Sequence, residues 1–177
     1  MLTNIKINTR YVSYEYLKLD PKKSTLVFIN SLGTDHRIWS YVVEELGQNF
    51  NILKYDKQGH GLSEQSTKSP SISQYADDLI ALISLLSINQ VIPVGLSIGG
   101  LIAQELYRKR PADLIITDML MPHMDGLTAA KLIRQEEGLA GRRRTPIIAL
   151  TGDVMTHQLS EYRVAGMDDC VAKPIEI

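Results

Sequence analysis

Val91-Ile92-Pro93-Val94-Gly95-Leu96-Ser97-Ile98-Gly99-Gly100 runs from a short apolar segment into a G-x-S-x-G turn. Val91–Leu96 reads as a buried strand, and that turn pattern lifts a serine hydroxyl above a sheet where strand passes into helix. One helix later the same device recurs in different words. Asp113–Thr117 reads as another buried strand and opens into Asp118-Met119-Leu120-Met121-Pro122-His123-Met124-Asp125-Gly126. Two strand-to-helix units in succession make a parallel sheet with right-handed crossovers the natural plan.

The rest of the chain extends that plan in both directions. Ile5 and Ile7, then Val12, Tyr14, Tyr16, Leu17 and Leu19, flank Asn8-Thr9-Arg10 and predict an antiparallel edge hairpin. Thr25–Asn30 is continuously apolar at its centre, as a strand buried on both faces requires. Ile38–Leu46 predicts a short helix, with Trp39, Val42, Val43 and Leu46 at helical spacing. Phe50–Tyr55 is the next strand. Ser71 to Leu86 is the clearest helix: Ser71 with Gln74 forms a capping box, and Ile72, Tyr75, Leu79, Leu82, Ile83 and Leu86 share one stripe. Ile98 to about Arg110 follows the serine turn as a helix. Beyond Asp118 the expectations are a helix over Leu127–Glu137, a loop over Gly138–Arg144, a strand over Pro146–Thr151, a helix over Thr156–Ala165 and a last strand over Asp169–Ala172.

With 177 residues, 44% of them hydrophobic, the chain can bury one sizeable core. A net charge of −1 gives no electrostatic reason for a nucleic-acid or membrane partner. The single cysteine, Cys170, excludes an internal disulfide and suits a reducing, cytoplasmic setting as a small buried hydrophobe. No apolar run approaches the roughly 18 residues of a membrane span.

The first part of the chain, roughly Met1 to Arg110, resembles the α/β-hydrolases, in particular the 3-oxoadipate enol-lactonase-like esterases. Asn30-Ser31-Leu32-Gly33-Thr34-Asp35, Tyr55-Asp56-Lys57-Gln58-Gly59-His60-Gly61-Leu62-Ser63 and the serine turn carry the resemblance. It implies Ser97 as nucleophile, with the backbone N–H groups of Leu32 and Ile98 as oxyanion hole. Gln58 stands where that family usually has arginine. The acid and histidine that follow later strands in the family are missing, so Ser97 is expected to be vestigial. His36 and His60 are expected to be structural.

From Ala112 onward the chain resembles the last three strands of a response-regulator receiver domain, of the kind found in hybrid sensor kinases. That resemblance implies Asp118 as phosphoacceptor, Thr151 as switch hydroxyl and Lys173 as the lysine that contacts the phosphoryl group. Such domains hold Mg²⁺ with an acidic pair after their first strand; here Ser97 or Asn30 stands near those positions, so no metal or other cofactor is expected. His123 and Asp125 are expected to be turn residues. An accidental triad of Ser97 and His157 with Asp118 or Asp153 is the rival arrangement.

The sequence thus changes family at Arg110-Pro111-Ala112, in mid-sheet. The expected fold is a single-domain three-layer αβα sandwich in which 1–111 is the hydrolase-like fragment and 112–177 the receiver-like one. Its expected strand order is 1-2-4-3-5-6-7-8, with the first hairpin antiparallel. An engineered chimera without native catalytic function is the most economical account; residual esterase activity at Ser97 and phosphoryl acceptance at Asp118 are the alternatives. Right-handed crossovers place the helix Ile38–Leu46 on one face and all the others on the opposite one. Only Pro174–Ile177 follow Lys173, so the first face is expected to be partly bare and covered by a second copy in a homodimer.

Overall fold

The computed structural model describes residues 2–65, 67, 69–110, 115–119, 125–152 and 156–172, apart from the side chains of residues 45 and 156–158. Eight strands form one sheet in the order β1-β2-β4-β3-β5-β6-β7-β8, as expected. They are β1 (Leu2–Ile7), β2 (Arg10–Leu17), β3 (Thr25–Ile29), β4 (Asn51–Tyr55), β5 (Val91–Gly95), β6 (Ile115–Asp118), β7 (Ile147–Thr151) and β8 (Asp169–Ala172). β1 and β2 pair antiparallel around Asn8, whose φ of 56° is the left-handed turn conformation that asparagine tolerates. β2 pairs antiparallel with β4, and every later pairing is parallel.

The helices are α1 (Ser40–Leu46), α2 (Ile72–Leu85), α3 (Ile98–Lys109), α4 (Gly126–Ala140) and α5 (Thr156–Val164). Ser71 caps α2 with the expected reciprocal box: its hydroxyl accepts from the Gln74 N–H while the Gln74 side chain accepts from the Ser71 N–H. Two expectations need correction. The segment Ile38–Leu46 is not one helix: His36–Trp39 forms a 3-10 turn capped by Asp35, and α1 starts only at Ser40. The side chain of Asp35 accepts from the Arg37 N–H and so tightens that first turn. The supposed loop Gly138–Arg144 begins later, because α4 continues to Ala140. Glu137 is buried and anchors the last turn, and Gly141 ends the helix at φ 60°.

Side-chain clusters fix the faces. Leu26, Phe28, Trp39, Ile52, Ile92 and Val94 pack with α1 on one side of the sheet. Val27, Ile29 and Leu53 pack with Leu79, Leu82 and Ile83 of α2 and Ile102 and Leu106 of α3 on the other. Ile115, Ile147 and Ala149 continue that second face under α4 and α5, joined by Tyr107. Consecutive residues of α3, Leu106 and Tyr107, therefore belong to two different cores. Among the described residues α1 and the turn before it are the only helical elements on the first face. There Ile116 and Ile148 are half-buried and Val171 is 40% exposed. Among the described residues, β5 and β6 share two registered pairs, Val94 with Ile116 and Gly95 with Thr117, and β3 and β5 share five.

Candidate functional site

The serine turn has the backbone its sequence demands. Ser97 sits at φ 54° and ψ −122°, a conformation that non-glycine residues adopt only when their surroundings impose it. Glycine on either side makes this possible: a Cβ on Gly95 would run into the Gly99 carbonyl, and one on Gly99 into the Ile29 carbonyl. The Leu96 N–H donates to the Ile29 carbonyl at 3.1 Å, tying the turn to the end of β3. Ser97 is thus held at the C-terminal edge of the sheet, at the start of α3.

The oxyanion loop beside it is held from beneath. Lys57, 1% exposed, donates from Nζ to the carbonyls of Asn30 and Ser31 at 3.2 and 2.6 Å. Burial brings its ammonium down to about 8. Leu32, 67% exposed, follows directly, and Gly33 turns the chain at φ 70°. Sequence reasoning missed Lys57; a lysine two residues beyond a fully buried strand is the available signal.

Asp56 locks the neighbouring turns together. Fully buried, it accepts from the His36 N–H at 2.7 Å and the Leu62 N–H at 3.0 Å, and its two oxygens lie 3.1 Å from His36 Nδ1. Asp35, His36 and Asp56 form the one group among the described residues with a metal-ligand arrangement. Their atoms are already committed, since Asp35 is paired with Arg37, whose guanidinium holds its carboxyl well below the usual range. The group is a turn lock. His60 is structural as well: Nδ1 lies 3.0 Å from the Gln58 carbonyl, and burial lowers the imidazole's proton affinity. Gln58 itself is buried.

The second half brings its own signature residue to the same place. Asp118, at the end of β6, is buried, and its Oδ2 accepts from the Ser97 N–H at 3.3 Å. The contact joins the two motifs, but through the serine's amide and not its hydroxyl. Among the described residues no imidazole or carboxylate accepts from Ser97 Oγ. The rival triad is left without a described base, since Asp153 and the side chain of His157 lie outside the described residues, as do His123 and Lys173. Thr151 is buried and shares a 3.0 Å hydrogen bond with the Tyr162 phenol. Asp125 is the N-cap of α4, accepting from the Thr128 N–H at 2.6 Å, which holds its carboxyl below its ordinary value. Cys170 is half-buried against the α5 core.

A divalent ion of the receiver type would need several oxygen ligands around Asp118. Among the described residues, the Ser97 amide donates to that carboxylate.

No helix among the described residues is long and apolar enough to cross a membrane. In fold, the chain is similar to a hydrolase from Pseudomonas aeruginosa PA01, with a TM-score of 0.75 and 16% identity over 98% of this chain and 90% of that one. The enol-lactonase from Burkholderia xenovorans LB400 gives 0.74 and 19%, over 97% and 91%. In sequence, 78 residues are 35% identical to 3-oxoadipate enol-lactonase 1 of Acinetobacter baylyi, covering 44% of this chain and 29% of that protein. A further likeness is to the signal transduction histidine-protein kinase BarA of Escherichia coli (strain K12), 41% identical over 97 residues, 55% of this chain and 10% of that protein. The chain thus spans less than a third of either of these two curated relatives. A run of 97 residues is longer than the segment 112–177, so the receiver likeness begins upstream of Pro111. The hydrolase likeness and the receiver likeness therefore coexist in one sheet. The sequence pattern of the response regulator receiver domain matches residues 77–177, more than half of the chain, and the chain belongs to that family.

Proposed function

We propose that the chain is an engineered chimera, a cytoplasmic hybrid domain of a hydrolase-type fragment (1–111) and a receiver-type fragment (112–177) in which neither parental reaction runs. The observation that carries this reading is the 3.3 Å hydrogen bond from the Ser97 N–H to Asp118 Oδ2. It sets a carboxylate against the amide of the nucleophile's own residue, and negative charge there opposes the anionic transition state of acyl transfer. The same bond puts an N–H where the receiver reaction needs metal-holding carboxylates. Each motif blocks the other.

Two assays on the full chain test this. Intact mass after incubation with acetyl phosphate and Mg²⁺ should not rise by one phosphoryl group. Hydrolysis of p-nitrophenyl acetate should be the same for the wild type and Ser97→Ala. A phosphoryl adduct lost in Asp118→Asn, or turnover lost in Ser97→Ala, would overturn the reading and leave the receiver or the esterase in its place.

The partner we infer is a second copy, seated on the α1 face. Half-buried Ile116 and Ile148 and 40%-exposed Val171 support this. Sedimentation at micromolar concentration should show a dimer that Val171→Lys weakens; a monomer at all concentrations would exclude it.

A further inference from the structure

We draw no further inference here: the strongest candidate, the apolar groove between α3 and α4, admits a helix as well as a small ligand, and nothing in the structure shows what covers it.

Discussion

In the N-terminal part of the sheet, β3, β4 and β5 are buried at every residue; in the C-terminal part, β6 and β7 each have a half-buried position and β8 has no fully buried one. The first group lies between α1 on one face and α2 and α3 on the other, so both faces of each strand exclude water. The second lies beneath α4 and α5, and among the described residues no helix covers its other face. What replaces the missing apolar burial is polar. Glu137, 5% exposed, accepts from the Tyr107 phenol at 2.9 Å, the Thr145 N–H at 2.7 Å and Arg134 at 2.7 Å. Arg134 also reaches Asp168, which in turn accepts from the Ile147 N–H. One region is held by non-directional burial and the other by a satisfied network. They should fail differently.

The largest difference is expected from truncating each core. Leu79 is fully buried between α2 and the sheet. Leu79→Ala should cost about 4 kcal/mol in urea unfolding, because a closed site leaves a cavity. Ile133→Ala should cost about half of that, since Ile133 already borders open space and has fewer contacts to lose. Equal costs would mean the two cores are equally tight. Next in size, Glu137→Ala should cost about 3 kcal/mol by stranding the Thr145 N–H and the Tyr107 hydroxyl in the interior. Burial pushes the Glu137 carboxyl up, but the Thr145 amide, Arg134 and Tyr107 together hold it below its ordinary value. The network's contribution is therefore present above the unfolded glutamate range and fades as pH falls through the folded value. The acid unfolding midpoint of Glu137→Gln should accordingly differ from that of the wild type.

The N-terminal region also buries ionisable groups, Asp56 and Lys54 among them, and its most deeply buried cation is Lys57. Its folded value of about 8 lies below that of an unfolded lysine. Between the two values the unfolded chain binds the extra proton, so stability rises with pH across that window. The rise from about pH 8 to about pH 10 should be on the order of 2 kcal/mol, and Lys57→Met should abolish it. Higher pH confuses the test, because burial pushes the Tyr55 phenol far up and its ionisation then favours unfolding.

The same contrast governs what the sequence discloses. Fully buried strands write themselves largely in apolar residues, so β3 and β5 and the order of all eight strands are legible, although β4 also buries Asn51 and Lys54. So is the serine turn, because Gly95 and Gly99 are needed by backbone collisions. The end of α4 was misread because a buried glutamate looks like a surface residue until its partners are known, and Gly138 looks like a breaker although its position has open space around it. The clamp of Lys57 and the meeting of Ser97 with Asp118 depend on contacts between residues 26 and 21 positions apart. No local pattern encodes these.

The smallest effect is also the sharpest test of the junction. Among the described residues, β5 and β6 have two residue pairs in register, Val94 with Ile116 and Gly95 with Thr117. The Tyr107 phenol reaches across from α3 to Glu137 of α4, and Thr145 donates to it at 3.3 Å. Tyr107→Phe keeps the ring in its core and removes the hydroxyl, which should cost about 1 kcal/mol. If the C-terminal strands open as a separate unit, native-state hydrogen exchange should show that loss at the amides of Ile147–Leu150. Those of Val27–Ile29 should keep their protection, because local and global opening report different free energies. An equal loss at both sets would mean that the sheet opens as one body, and that the hydrogen bonds between α3 and α4 hold it as firmly as β3 is held to β5.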